Sequence, residues 1–167
     1  MVKEAQTVKT YNLIEVREAE AEKIPYKDRF FDYVSCLSTF DATHQHKALS
    51  EMMRVLKIKG LILLTGKNAN YYDDDVLAID AEKGARHKGH PNYFTHVKKL
   101  KNLLYNKGHR IKLEYYFPRR GDFGKLNFYE KMPQKFYEYF FFFFKLSRKY
   151  KFEPFSSKFS NVRGARS

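Results

Sequence analysis

Residues 47–65 read KALSEMMRVLKIKGLILLT, and no other stretch limits the fold as much. Ala48, Leu49, Met52, Val55 and Leu56 recur at three- and four-residue spacing, so a helix over 47–57 carries one apolar stripe. Lys47, Ser50, Glu51, Arg54 and Lys57 fill its other face. The helix ends before Gly60, and LILLT at 61–65 follows as an unbroken apolar run. Such a run directly after a helix reads as a strand buried on both faces of a parallel sheet.

Other segments repeat this logic. Leu13, Ile14 and Val16 predict a short strand over 13–17, and DYVSCLS predicts another over 32–38. A second helix is expected at about 95–107. Thr95 caps it, Val97, Leu100, Leu103 and Leu104 face inward, and Gly108 stops it. RIKLEYYF at 110–117 alternates as a strand, whereas 66–93 reads as irregular. The order strand, strand, helix, strand, helix, strand predicts an α/β layered domain over 1–117. Residues 118–167 read as an aromatic and basic C-terminal extension, in which 136–146 form an aromatic helix and the end is a loose Ser- and Lys/Arg-rich tail.

A chain of 167 residues suffices for one domain, and 43% hydrophobic residues supply a core. The net charge of +13 is compatible with an anionic partner or with a solvated Lys-rich surface. With Cys36 alone there is no internal disulfide, which fits a reducing, cytoplasmic setting. MVKEAQTVKT has no apolar segment of the signal-peptide kind. No apolar run reaches the ~20 residues of a membrane span. The nearest, 136–146, is interrupted by Glu138.

The ordered motifs carry a resemblance. EAEAEKIPYKDRFFDYVSC followed by KALSEMMRVLKIKGLILLT resembles the class I S-adenosylmethionine-dependent methyltransferases, in particular their type 11 small-molecule group. The matching positions are Glu20-Ala21, Ile24-Pro25-Tyr26, Asp28, Phe31-Asp32, Leu49-x-Glu51-x-x-Arg54-x-Leu56 and the turn at 57–60. YFTHVKKLKNLLYNKGHRI is similar to a later helix, turn and strand of that family. The resemblance covers residues 1–117 and implies a Rossmann-like sheet. It also implies S-adenosyl-L-methionine as cofactor and methyl transfer to a small-molecule or lipid-linked acceptor.

By the same resemblance, the Glu20 carboxylate accepts from the adenine amine and the Ala21 N–H donates to a ring nitrogen, with Glu22 in the same segment. This agrees with ligands lying beyond the carboxyl ends of strands in open α/β sheets. Leu37, Ser38 and Thr39 are expected to line the methionine side. Asp32 and the Glu51 and Arg54 pair read as structural. No catalytic residue is assigned; His44, His46, His87, His90 and His96 are the candidates for a base where the acceptor is a hydroxyl. No carboxylate or Cys completes a ligand set around His44 and His46, so no metal site is expected. Asp73-Asp74-Asp75 reads as a solvated helix start.

The family holds methionine and ribose with a Gly-rich loop after its first strand and an acidic residue ending its second. None of the 8 glycines here forms such a loop. Residues 1–10 resemble the helix before the family's third strand, so a partial, N-terminally truncated domain lacking the first two strands is expected. Strand 32–38 would then offer a free edge, to be filled by strand 13–17 or by a second chain. The chain alone is expected to bind the cofactor weakly or not at all. The alternative functions are a non-catalytic methyltransferase-like remnant or partner subunit, or a basic membrane-associating protein. In the last reading, residues 136–151 make peripheral contact with anionic headgroups. Nucleic acid is disfavoured, because the aromatic residues are contiguous rather than interleaved with basic ones.

Overall fold

The computed structural model describes residues 17–88 and 92–145. Most of the strand expected over 13–17, His90 and the tail beyond 145 lie outside the described residues. The elements run β1 (Phe31–Cys36), a 3₁₀ turn (Phe40–Ala42), α1 (Gln45–Val55), β2 (Leu56–Lys67), α2 (Val76–His87), α3 (Val97–Asn106), β3 (Arg110–Phe117), a short α4 (Asp122–Lys125) and β4 (Glu138–Phe144). The sheet order is β1-β2-β4-β3. β1 runs parallel to β2 across the α1 crossover, as LILLT after a helix predicts. β4 lies antiparallel between β2 and β3. The outer edge of β1 has no partner strand among the described residues.

β4 corrects the expectation of an aromatic helix. The run EYFFFFF alternates, with Tyr139, Phe141 and Phe143 fully buried and Phe140, Phe142 and Phe144 half-buried on the other face. Aromatic residues suit a pleated surface that is covered on both sides, and β2 and β3 each offer a free backbone ladder to this segment. Tyr139, Phe141 and Phe143 join Leu49, Met52, Met53, Leu100 and Leu104 in the main core beneath α1 and α3. On the opposite face the Phe140 ring lies 5.7 Å from Tyr115 and 6.4 Å from Phe123. Each buried phenyl ring contributes about 1.5–3 kcal/mol. Residues 138–144 of the helix expected over 136–146 therefore form the sheet's interior strand, and the sheet draws on residues from both sides of position 117.

The turn expected at 57–60 is a bulge inside β2. Phe31 pairs with Leu56 and Tyr33 with Leu61, so the four β2 residues 57–60 lie opposite Asp32 alone. Lys59 takes the left-handed conformation, φ +65°. The end of β4 pins the bulge: the Lys59 N–H donates to the Lys145 carbonyl at 2.8 Å, and the Lys145 N–H donates to the Gly60 carbonyl at 3.0 Å. The buried Lys145 ammonium donates to the carbonyls of Met53 (2.5 Å) and Leu56 (2.9 Å), placing a cation at the α1 C-terminus.

Two further departures concern the insert. The region read as irregular contains α2. Thr95 does not cap α3, because His96 takes that place; Thr95 is buried and its hydroxyl faces Tyr139 and Gln45. Gly108 ends α3 as expected, with φ +79°.

Candidate functional site

β1 and β2 end side by side, and the chain turns sharply after β1. Ser38 sits in the left-handed region at φ +51°, which is uncommon for a residue with a Cβ. Its N–H donates to the buried Thr65 hydroxyl of β2 at 2.7 Å, and the Thr39 hydroxyl donates to the Leu37 carbonyl at 2.8 Å. Leu37, Ser38 and Thr39 are exposed beyond the strand end.

The Glu20 to Lys23 segment forms a tight turn closed by the Lys23 N–H on the Glu20 carbonyl at 3.0 Å. The Glu22 carboxylate accepts from the His44 N–H at 2.5 Å, which pins this turn to the start of α1. Ala21 packs against the core. The exposed Glu20 carboxylate and the Ala21 N–H have no hydrogen-bond partner among the described residues. Behind the turn, Arg54 donates to the carbonyls of Ile24 and Tyr26, to Asp28 and to Glu51. Glu51 in turn accepts from the Ile24 N–H at 3.0 Å. The Arg54 hydrogen bonds hold the Glu51 carboxyl below its ordinary range. Asp32 pairs with Lys57 at 2.7 Å. A cavity of about 650 Å³ borders Glu18, Glu20, Pro25, Tyr26 and Arg54; of the six expected cofactor contacts, Glu20 alone lines it.

Beyond the end of β2 lies a polar cluster that sequence reasoning missed. Asp41, in the 3₁₀ turn, is 5% exposed. Both of its carboxylate oxygens accept from the Lys67 N–H, at 3.0 and 3.1 Å. Burial pushes its carboxyl up to about 7, with Glu82 and Glu138 adding to the rise and Lys67 opposing it. Glu82 of α2, 4% exposed, accepts from the Tyr137 hydroxyl at 2.7 Å, pairs with the Lys67 ammonium at 2.7 Å and meets the Asn92 amide. Asp73 pairs with Lys135 and Asp74 with Arg119, while the buried Asp75 accepts from the Ala78 N–H at the start of α2. The triplet is a helix start as expected, with Asp73 and Asp74 solvent-exposed and Asp75 alone buried. No sequence signal pointed to Asp41, and Glu82 fell in the region read as irregular.

The histidines do not converge. His44 is exposed beside Tyr93, with ring centroids 6.3 Å apart. The His87 ring meets the Lys83 carbonyl on α2. His46 and His96 stand at helix starts, and burial holds both below their ordinary range. Among the described residues, no group of three or more His, Cys, Asp or Glu could hold a metal ion, and no helix is long and apolar enough to cross a membrane.

The family model described as "Methyltransferase domain" matches residues 1–64. No curated protein sequence matches the chain. A SAM-dependent methyltransferase of Thermotoga maritima superposes with a TM-score of 0.56 at 19% identity, over 79% of this chain and 64% of its own length. MccD protein superposes with a TM-score of 0.55 at 16% identity, over 86% of this chain and 72% of its own. The protein solved in complex with the Haloferax volcanii Trm112 methyltransferase activator superposes with a TM-score of 0.60 at 13% identity, over 87% and 67%. At these identities the structures speak to the fold. The chain spans about two thirds of the length of these relatives. The chain thus has a partial Rossmann-like sheet, and its first 64 residues are similar to the methyltransferase-domain family.

Proposed function

We propose that the chain contributes the adenine side and the acceptor side of a site that transfers a methyl group from S-adenosyl-L-methionine to a small-molecule acceptor. One observation carries this reading. The Glu20 carboxylate and the Ala21 N–H stand unpaired on one turn, anchored through Glu22 to α1, inside the segment that matches the family. An acceptor and a donor side by side are what the adenine amine and its neighbouring ring nitrogen require, so these residues fit the cofactor. Leu37, Ser38 and Thr39 face its methionine side in this reading. The bound cofactor supplies a sulfonium-activated methyl group. The chain's own residues then hold donor and acceptor in line, which can provide most of the acceleration. The acceptor is taken as a small molecule because the aromatic run that suggested a lipid-linked one lies in the sheet.

The test is an amide-resolved NMR titration with millimolar S-adenosylhomocysteine. Shifts at residues 20–22 and 37–39, lost in Glu20→Ala, are expected. A folded chain with no shift at either segment overturns the reading. A second reading, a non-catalytic remnant or partner subunit, is favoured by the lack of a Gly-rich loop in these 167 residues. It predicts a folded chain that shows neither those shifts nor methyl transfer.

A further inference from the structure

Asp41 is a buried titratable group that the cofactor reading leaves unused, and it lies between the turn after β1 and the end of β2. Its carboxylate holds the Lys67 N–H, while its own carbonyl accepts from the Tyr93 N–H at 2.8 Å. The segments it grips are also tied to each other. The Thr95 N–H donates to the Lys67 carbonyl at 2.8 Å, and the Ala69 N–H donates to the Thr95 carbonyl at 2.9 Å. Gln45 donates to the Tyr93 carbonyl at 2.7 Å and to the Thr95 hydroxyl at 3.1 Å. There is no slack beneath it. A Cβ on Gly66 would approach the Asp41 carboxylate to 3.1 Å and the Tyr139 hydroxyl to 2.7 Å. Three residues before Asp41, Ser38 is strapped to Thr65.

We propose that Asp41 is a positioning residue for methyl transfer. It sets the spacing between the proposed cofactor-side turn at 37–39 and the segments 67–70 and 93–95, which its hydrogen bonds hold. This rests on the methyl-transfer reading above. Asp41 touches neither reacting atom and acts through the backbone of Lys67 and Tyr93. An ionised carboxylate accepts with both oxygens, whereas the neutral acid turns one of them into a donor that the Lys67 N–H cannot use. The spacing therefore follows the charge on Asp41. The groups that influence that charge are Lys67 at the end of β2, Glu82 of α2, and Glu138 of β4; Cys36 of β1 and Tyr139 of β4 stand near it as well.

The test pairs Asp41→Ala with Asp41→Asn and reads amide hydrogen exchange at Lys67 and Tyr93 across neutral pH. In the wild-type protein, protection of the Lys67 amide should change with an inflection near 7. Asp41→Ala should lower that protection about tenfold. Asp41→Asn, which keeps one acceptor oxygen, should restore most of it and abolish the inflection. In a methyl-transfer assay, Asp41→Ala should lower kcat about tenfold, with KM for the cofactor unchanged and kcat recovered in Asp41→Asn. Lys67 protection that is independent of pH in the wild type, or unchanged in both variants, overturns the proposal. So does a wild-type kcat in Asp41→Ala. If Asp41→Ala does not fold, the inflection in wild type and its absence in Asp41→Asn still decide. A chain that shows no cofactor shifts refutes the methyl-transfer reading, and the exchange data then judge the Asp41 tie by themselves.

Discussion

Replacing Asp41 by Asn should stabilise the protein in mild alkali and not in mild acid. The folded carboxyl titrates at about 7 against an ordinary value of 3.8, chiefly because burial disfavours its charge. A carboxyl raised on folding contributes stability that is complete below the unfolded value and is lost as pH rises through the folded one. The gap between 3.8 and about 7, at about 1.36 kcal/mol per pH unit, gives an upper bound of roughly 4 kcal/mol. Asn removes the charge but gives up one of two acceptor oxygens on Lys67, worth about 1 kcal/mol. The expected gain is therefore about 2–3 kcal/mol at about pH 8, with little change at about pH 4, where the neutral acid and Asn each offer Lys67 one acceptor oxygen. Urea unfolding followed by tyrosine fluorescence measures this directly, since the chain has 13 Tyr and no Trp. A stability difference between variant and wild type that stays flat from mild acid to mild alkali refutes the reasoning. It would mean that Asp41 is hydrated or fully compensated in its charged form.

Other perturbations probe the parts that carry the site. Phe141→Ala empties a fully buried position in the centre of the sheet and should cost about 3–5 kcal/mol by urea unfolding. Lys145→Met removes the ammonium that holds the Met53 and Leu56 carbonyls; a loss of about 1–3 kcal/mol is expected, read by thermal melting. Thr65→Val strands the Ser38 N–H and should cost about 1 kcal/mol while broadening the Ser38 amide resonance. Ser38→Gly relieves a left-handed backbone and should raise stability by roughly 1 kcal/mol, measured by the same unfolding assay.

What could be read from sequence followed the periodicity. The α1 stripe and the LILLT run implied a parallel unit, and β1, α1 and β2 form one. The run over 140–144 misled because five consecutive phenylalanines carry no period of their own. Alternation becomes visible only when Tyr139, Phe141 and Phe143 are seen under α1 and α3, with Phe140 and Phe142 facing the other layer. A strand buried on both faces and a helix buried all round look alike along the chain, and what decides between them is the pair of free ladders on β2 and β3, which is a long-range fact. The same limit explains the site. The Glu20 turn is local, closed by a hydrogen bond within four residues. Asp41, Lys67, Glu82 and Tyr137 lie far apart in sequence and meet only once α2 and β4 are placed. Nothing in the spacing of Asp41 distinguishes a buried acceptor from a solvated loop acid. The backbone N–H that it captures belongs to the last residue of β2, so its role follows from where that strand ends.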